Sequence, residues 1–484
     1  MFPAPSNAHK SPAGLSLGPF VLASRTVLAC CAVLACFTVL ACSAPETPST
    51  EAPAAEAKPQ SVILFIGDGF GFNQLAFARN FVHGPGGRFA LEDLPVTGIM
   101  STASATHETT DSGAAATALA AGVKTKNKAV GVTEAGAPAE SIAEVAQEKG
   151  WKVGYVTTTR ITHATPASFY AHVNHRYKDV DTIGEHLLDH APDLILGGGK
   201  RAFLPDSEGG RRKDGRNLLE EAKAAGFHVV EDALPEAPVP PQTLGVFAMS
   251  HLAYTVDALQ RPVEERPPTL EQMTRVALDT LGQDDQSFFL MVEGGRIDHG
   301  GHDFDAPSVA WETAEFDKAV AAALEYQAQH PETLIVLTAD HATGGLAFSD
   351  SVDWDALKRQ KASVAWMSRA IRHDGAGLDM LAEKTGYTDF TEADLAAVRA
   401  PEHEGMICFP ETEDGSKDED AARVLGAQLG KRYGITWMPC VGEDTHGHTG
   451  EDVPLYAGGP GAERFQGTLD NTDVPKILRE LLGW

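Results

Sequence analysis

Short apolar runs alternate with amphipathic stretches along most of the chain. Six of these runs are nearly continuous in apolar character, which is typical of strands buried on both faces of a parallel sheet. They cover residues 61–66, 152–157, 193–196, 227–230, 287–292 and 333–339. The alternation of strand-like and helix-like segments predicts an α/β fold, with a large, mostly parallel central sheet flanked by helices on both faces.

Helical periodicity lies between these runs, with apolar residues spaced to form one buried face. The predicted helices cover residues 114–121, 141–149, 179–190, 218–225, 270–281 and 306–329. The alternation of predicted strands and helices stops at residues 349–433, where a helix at 391–398 begins with Thr, Glu and Asp. We interpret this stretch as an insertion that caps the functional site of the protein. The sheet is expected to resume at 452–456, and a helix at 473–482 closes the chain.

Carboxylates and imidazoles lie at the carboxyl ends of three predicted strands. In chain order they are Asp68, Glu293, Asp298, His302, Asp340 and His341. Open α/β sheets bind ligands at this edge, and converging carboxylates repel one another unless a cation lies between them. The pattern therefore predicts a metal site. The alternative for any single residue is a turn or a helix cap, and for Asp68 alone the two interpretations are equally supported.

A candidate nucleophile lies just before the helix predicted at 114–121. Thr110, Asp111 and Ser112 precede this helix, and a helix N-terminus presents free backbone N–H groups to an anion. Ser112 is thereby placed to attack a bound anion. The simpler interpretation makes Asp111 or Ser112 an ordinary N-cap. Thr109 and Thr110 are alternative nucleophiles by residue type.

Composition limits the classes of partner. The 484 residues are 43% hydrophobic and 22% charged, as in a soluble globular protein, and they can form one large domain or two. The net charge of −28 makes nucleic acid and anionic lipid poor partners, so we expect no nucleic-acid-binding surface. An acidic exterior also repels anionic substrates, which would have to be bound by local cationic groups.

Residues 1–41 have the features of an export signal. Basic residues precede an apolar run at 26–41 that is short for a membrane span. The segment resembles a bacterial lipoprotein signal with Cys42 as the lipidated first residue, and residues 42–60 are predicted to form a disordered tether. We expect export to the periplasm or cell surface, with a lipid anchor in the bacterial outer membrane as the only membrane contact. The alternative is an ordinary cleaved signal or an uncleaved anchor.

Six sequence motifs occur in the order found in one protein family. They are I-L-F-I-G-D-G, T-T-D-S-G-A-A-A-T-A, H-A-T-P-A-S-F-Y-A-H, V-E-G-G-R-I-D-H-G-G-H, T-A-D-H and G-H-T-G-E-D-V-P. The chain resembles the alkaline phosphatase family from residue 61 to its C-terminus, and 349–433 is the least matched part. The resemblance implies a catalytic domain at 61–484 that hydrolyses phosphate monoesters through a phosphoserine intermediate. It also implies a homodimer.

The resemblance further implies roles for individual residues. Ser112 would be the nucleophile, and Arg176 would bind two phosphate oxygens. Two zinc ions and one magnesium ion are implied. Their ligands would be Asp68, Asp340 and His341 for one zinc, Asp298, His302 and His448 for the other, and Asp68, Glu293 and Thr165 for magnesium. His163 and His299 would shape the surroundings of the magnesium ion, and His446 is the alternative to the nearby zinc ligand His448.

Two other functions remain open from the sequence. A phosphodiesterase, or another member of the same metalloenzyme superfamily, would use a related bimetal site. The pairing of Ser112 with Arg176 favours monoester hydrolysis, because diesterase relatives usually differ around the nucleophile. A tethered metal- or phosphate-binding protein without turnover would share the ligands but would have no need of Ser112.

Overall fold

The computed structural model describes residues 58–401, 417–438 and 447–484. The predicted signal, Cys42, most of the tether and His446 lie outside these ranges. The strands are β1 (Ser61–Gly67), β2 (Val96–Ser101), β3 (Lys152–Arg160), β4 (Leu194–Gly198), β5 (His228–Val230), β6 (Thr243–Val246), β7 (Phe288–Glu293), β8 (Thr333–Ala339), β9 (Ala342–Thr343), β10 (Ala347–Phe348), β11 (Ile435–Thr436), β12 (His448–Thr449), β13 (Val453–Gly458) and β14 (Gly467–Asp470).

Helices separate most of these strands. In chain order they are α1 (Phe72–His83), α2 (Ser112–Ala121), α3 (Ile142–Glu148), α4 (Ala164–Ala167), α5 (Val180–His190), α6 (Leu218–Ala225), α7 (Thr255–Ala258), α8 (Leu270–Leu281), α9 (Arg296–His302), α10 (Ala306–Gln329), α11 (Trp354–Arg359), α12 (Val364–His373), α13 (Leu378–Thr385), α14 (Glu392–Arg399), α15 (Asp418–Tyr433) and α16 (Asp473–Leu482). Among the described residues, no helix combines the length and the apolar character needed to cross a bilayer.

One large sheet organises the fold. Its strand order from edge to edge is β14-β2-β13-β8-β1-β7-β3-β4-β6-β5. All neighbouring pairs are parallel except those of β13, which runs antiparallel to both β2 and β8. The predicted mostly parallel α/β sheet is confirmed. The reversed direction of β13 is new, because an apolar run indicates that a strand exists but not which way it points.

The apolar pattern finds the central strands and the edge strand β5, but it misses β6 and the two strands at the other edge. The six predicted runs correspond to β1, β3, β4, β5, β7 and β8, whereas β2, β6, β14 and helix α1 were not predicted. Strand β2 is buried only at Met100, and β14 is exposed or half-buried throughout, so neither gives a continuous apolar run. Helix α1 starts after Gly71, without a side chain that caps it, so no polar residue marks its first turn.

Both faces of the sheet are covered. Strands β1, β7 and β8 are buried at every position, as only strands packed on both sides are. Helix α10 packs against both α1 and α8, and α2, α3 and α16 form a second group. The ring of Phe316 on α10 contacts those of Phe65 and Phe70, with centroids 5.8 and 5.7 Å apart. Phe70 itself follows β1, so this aromatic cluster packs next to the polar residues at the end of that strand.

The carboxyl ends of β1, β7 and β8 lie level with one another. The residue pairing of β1 with β7 puts Glu293 beside the end of β1, while Asp68 and Asp340 follow β1 and β8. Gly69 completes the turn after β1 with φ +75°, and a Cβ there would lie 2.6 Å from the Cα of Asp298. Only glycine therefore allows the two backbones to approach this closely.

Helices α11 to α15 belong to the stretch predicted as a capping insertion. Helix α15 packs against α12 and α14, and the Arg423 Nε on α15 donates to the backbone O of His302 at 2.9 Å. The Tyr433 hydroxyl donates to Gln360 Oε1 at 2.8 Å, and Gln360 Nε2 donates to Asp305 Oδ1 at 2.9 Å. These hydrogen bonds hold the cap on α9 and on the start of α10.

Glu312 makes the stability of this fold depend on pH. Its side chain on α10 is 5% exposed, and Oε1 accepts a hydrogen bond from the backbone N of Thr255 at 2.6 Å. Burial raises the pKa of Glu312 from 4.5 to about 7. The unfolded chain releases this proton at lower pH than the folded protein does. The free energy of unfolding should therefore fall as pH rises through this window, and stay lower above it.

We expect Glu312→Gln to raise the free energy of unfolding by ~1–3 kcal/mol above about pH 8, where the native carboxylate is charged. Below about pH 4.5 the gain should largely disappear, because both states of the wild type are then protonated. Denaturant unfolding at the two pH values measures the difference. Glu264→Gln, at an exposed position, is the control. An equal gain at both pH values would contradict the assignment.

Candidate active site

Three clusters of metal-ligating side chains lie at the carboxyl edge of the sheet. In each cluster, one donor atom per residue lies within 4.8 Å of the others. The clusters are Asp68 with Asp340 and His341, Asp298 with His302 and His448, and Asp68 with His163 and Glu293. The first two are the sets that the sequence predicts for zinc. The third contains two of the predicted magnesium ligands, together with a histidine that was expected to lie farther out.

In the first cluster two carboxylates face the same imidazole. The Nε2 of His341 lies 3.7 Å from Asp68 Oδ1 and 3.3 Å from Asp340 Oδ2. The other oxygen of Asp340, Oδ1, accepts hydrogen bonds from the backbone N atoms of Gly69 at 3.1 Å and His341 at 2.8 Å. These bonds orient the carboxylate so that Oδ2 faces the cluster.

In the second cluster the ligands come from α9 and β12. The Nε2 of His302 lies 3.2 Å from Asp298 Oδ2, across one turn of α9. The Nδ1 of His448 donates to the backbone O of Thr110 at 2.9 Å, which leaves the Nε2 lone pair facing Asp298 Oδ1 at 3.7 Å. The rings of His341 and His448 stack with centroids 3.6 Å apart. The first two clusters are therefore direct neighbours.

The third cluster shares Asp68 with the first. The Nδ1 of His163 lies 3.9 Å from Asp68 Oδ2, and the Oγ1 of Thr165 lies 3.5 Å from the same oxygen. His163 thus lies close enough to be a ligand itself. His299 lies behind it, with the two ring centroids 5.6 Å apart. The structure places His299 in the surroundings of this cluster, as the sequence predicts.

Four carboxylates are buried side by side at this edge, namely Asp68, Glu293, Asp298 and Asp340. Burial, reinforced by repulsion from the other carboxylates, holds the pKa of Asp68 well above its ordinary value. Burial also raises the pKa of Glu293 to about 7. Asp68 Oδ1, Glu293 Oε1 and Asp340 Oδ2 have no hydrogen-bond partner among the described residues. Buried, unsatisfied acidic oxygens at this density fit bound cations.

Ser112 is the first residue of α2, and its hydroxyl is not used to cap that helix. Asp111 is the cap, because its Oδ1 accepts from the backbone N of Ala114 at 3.0 Å. The Oγ of Ser112 lies 3.3 Å from His341 Nε2, the atom that faces the first cluster. The alternative nucleophile Thr110 directs its hydroxyl to the backbone O of Asp111, at 3.1 Å. Of these two hydroxyls, that of Ser112 is therefore the one that faces the first cluster.

Arg176 is held beside the serine. Its Nη1 lies 3.3 Å from Asp111 Oδ2, and its Nη2 donates to the hydroxyl of Tyr177 at 2.9 Å. Asp111 thus caps α2 with one oxygen and orients the guanidinium with the other. The sequence predicts Arg176 as the phosphate-binding group, and this arrangement places it next to Ser112.

A cavity of about 510 Å³ opens next to these residues. Arg176 and His302 line it on the side of the clusters, and Ser363, Trp366 and Arg369 line it on the side of the cap. Helix α12 and the residue before it therefore form one wall of the cavity. A volume of this size is in the usual range for a small-molecule site.

Threonine side chains donate hydrogen bonds to the carboxylates of these clusters, and they were not predicted as site residues. The Oγ1 of Thr343 donates to Asp298 Oδ1 at 2.5 Å. Thr157 and Thr159 both donate to Glu293 Oε2, the second at 2.9 Å. The only signal for Thr343 is its position two residues after the D-H motif. Thr157 and Thr159 gave none, because threonine is common in strands for reasons of packing alone.

An α/β sheet that presents paired carboxylate and imidazole clusters beside a buried serine is the architecture of a metal-dependent hydrolase. A family model described as alkaline phosphatase matches residues 59–484. The chain belongs to the alkaline phosphatase family. It is therefore an enzyme of the class that hydrolyses phosphate monoesters.

Individual relatives and solved structures agree with this assignment. Alkaline phosphatase 3 of Bacillus subtilis is 37% identical over 387 residues, which is 77% of each chain. The crystal structure of Thermus thermophilus alkaline phosphatase is similar with a TM-score of 0.75 and 29% identity, covering 90% of this chain and 95% of that one. A TAB5 alkaline phosphatase variant, solved with magnesium bound in the site named M3, has a TM-score of 0.64 and 27% identity over 89% and 99% of the two chains.

Proposed function

We propose that this enzyme hydrolyses phosphate monoesters through a phosphoserine on Ser112, with two zinc ions and one magnesium ion bound at the three clusters. One observation carries the proposal. The Oγ of Ser112 lies 3.3 Å from His341 Nε2, within a buried set of side chains that can hold two neighbouring cations. A hydroxyl in that position is the nucleophile that a two-metal phosphoryl transfer requires.

The donor atoms support the choice of metals. Asp68, Asp340 and His341 form one set and Asp298, His302 and His448 the other, and mixed imidazole and carboxylate donors suit zinc. Asp68, Glu293 and Thr165 offer oxygen donors, which suit magnesium. His163 in the third cluster would favour a softer ion than oxygen donors alone. The magnesium-bound TAB5 variant supports magnesium in an enzyme of this fold.

The reaction follows from the positions of two side chains. Arg176 would hold two phosphate oxygens while Ser112 Oγ forms a bond to phosphorus and the ester oxygen departs with its electron pair. The proton lost by the serine hydroxyl balances the one gained by the alcohol. Water then hydrolyses the phosphoserine, which releases inorganic phosphate and restores Ser112. Bound divalent cations would stabilise the charge that develops on the serine oxygen, the phosphoryl group and the leaving oxygen.

The purified enzyme should hydrolyse p-nitrophenyl phosphate with a much higher kcat/KM than bis(p-nitrophenyl) phosphate. Chelation should abolish both activities, and zinc with magnesium should restore them, because the buried carboxylates need cations. The same chelator, loaded beforehand with calcium, is the control. A preference for the diester would identify a phosphodiesterase instead, and activity that survives complete metal removal would exclude the two-metal reaction.

We also propose that the enzyme is exported and anchored by lipid on Cys42, with the apolar run before this cysteine as the supporting observation. Radiolabelled palmitate should enter the wild type in growing cells and not the Cys42→Ser variant. Equal labelling of both would contradict the anchor. Family membership supports a homodimer, which sedimentation of the purified protein tests.

A further inference from the structure

Arg296, which lines the cavity, forms no ion pair with the acidic residues that the structure describes. Arg296, the first residue of α9, is half-buried and lines the cavity. Its guanidinium lies over the ring of Tyr254, with Cζ 3.7 Å from the centroid, and its Nη1 donates to His299 Nδ1 at 2.7 Å. Both neighbours are uncharged, since a histidine that accepts at Nδ1 is the neutral form. Among the residues that the structure describes, no carboxylate oxygen lies within ion-pair distance of Arg296, and its buried Nε has no hydrogen-bond partner.

This situation differs from that of Arg212 and Arg176. The buried Arg212 lies 2.8 Å from Glu185 and is also paired with Asp214, while Arg176 is held by Asp111 at 3.3 Å. A guanidinium removed from water without an anion is unfavourable. Arg296 has nearby carboxylates such as Asp257 and Asp303 but no direct ion pair with any described residue, and it lies on the wall of a cavity that is open to small molecules.

The surroundings of Arg296 hold it in place. The Tyr254 hydroxyl donates to Asp303 Oδ2 at 2.8 Å, which fixes the ring beneath the guanidinium. Next to it, Asp257 accepts from the Ser363 hydroxyl at 2.6 Å and from its backbone N at 2.7 Å, which joins the start of α12 to α7. Arg296 therefore belongs to the rigid wall formed with α7. Arg176 is oriented separately, by Asp111, the residue that precedes Ser112.

We propose that Arg296 binds a second anionic group, carried on the leaving group of the substrate, so that the enzyme prefers phosphate monoesters of hydroxy acids to those of uncharged alcohols. This rests on the proposed monoesterase function. A carboxylate matches the planar fork of a guanidinium. Such a group would also form the direct ion pair that Arg296 does not make with any described residue, inside a protein whose net charge of −28 otherwise repels acidic substrates.

The matched substrates 3-phosphoglycerate and glycerol 3-phosphate test the proposal, because they differ mainly in a carboxylate against a hydroxymethyl group. Wild-type enzyme loaded with metals should favour 3-phosphoglycerate by on the order of tenfold in kcat/KM, mainly through KM. Arg296→Gln should bring the ratio close to one and leave glycerol 3-phosphate unchanged. Arg296→Lys, which keeps the charge, should restore part of the preference.

Arg369→Gln is the matched control. Arg369 lines the same cavity, but its side chain is 70% exposed and lies 3.8 Å from Asp418. The loss of this charge should leave the preference in place. A second measurement avoids turnover: calorimetry with the Ser112→Ala variant should show tighter binding of 3-phosphoglycerate than of glycerol 3-phosphate, and the added Arg296→Gln change should remove the difference.

The outcomes separate this inference from the proposed function. A wild type that hydrolyses both esters with equal kcat/KM overturns the role of Arg296 and leaves the monoesterase function intact. Failure to hydrolyse either ester would contradict the monoesterase function itself. If Arg296→Gln weakens both substrates and inorganic phosphate inhibition alike, Arg296 contacts the transferred phosphoryl group, and the second-anion site is wrong.

Discussion

Ser112→Ala should reduce kcat by ~10³–10⁶-fold while inorganic phosphate still binds, because the variant removes the attacking oxygen and leaves Arg176 and the three clusters in place. The serine hydroxyl does not cap α2, so its loss should not unfold the helix. Steady-state kinetics measure the loss of turnover, and calorimetry measures phosphate binding. The two together also exclude a phosphate-binding protein without turnover.

Thr110→Val is the control for this experiment. Thr110 is the neighbouring buried hydroxyl and was the alternative nucleophile, and its Oγ1 donates to the backbone O of Asp111. Valine keeps its shape, so most of the turnover should remain. If Thr110→Val abolishes turnover and Ser112→Ala does not, the assignment of the nucleophile is wrong.

Asp68→Ala should remove metal from two sites at once, whereas Asp298→Ala should empty only one. The reason is that Asp68 belongs to both the first and the third cluster, while Asp298 belongs to the second alone. Atomic emission analysis after dialysis gives the metal content per chain. Both variants should lose at least ~10²-fold in kcat/KM, since residues that only orient metal ligands are already worth ~10–100-fold and these two would bind the metal directly.

Asp93→Ala, at an exposed position away from these clusters, should retain the full metal content. Circular dichroism of each variant checks that the fold persists. Equal metal losses in Asp68→Ala and Asp298→Ala would show that Asp68 does not bridge two ions.

The sequence located site residues best where they follow a strand that is buried along its whole length. The apolar runs before Asp68, Glu293 and Asp340 predict that parallel strands end at one edge, and the residue pairing of β1, β7 and β8 brings these three side chains together. His448 could not be placed by that argument. It lies in the two-residue strand β12, which has no apolar pattern, so only its motif pointed to it.

Contacts between segments that are far apart along the chain could not be predicted from the sequence. His163 was expected in the surroundings of the third cluster, yet its Nδ1 lies 3.9 Å from Asp68 Oδ2. The position of His163 depends on how the residues after β3 turn toward β1, and no local pattern records this. Arg296 lies inside the motif that the sequence singled out, but that it forms no direct ion pair with any described residue becomes visible only in three dimensions.

The pairing of β9 with β12 has a consequence for how enzymes of this kind can diverge. His448 is in register with Thr343 and Thr449 with Ala342, so the chain returns to its point of departure immediately after residues 344–447, which include the whole cap. The two ends of that segment are joined by a short backbone ladder. Insertions or deletions between these ends are therefore expected to leave His448 and the reacting centre in place.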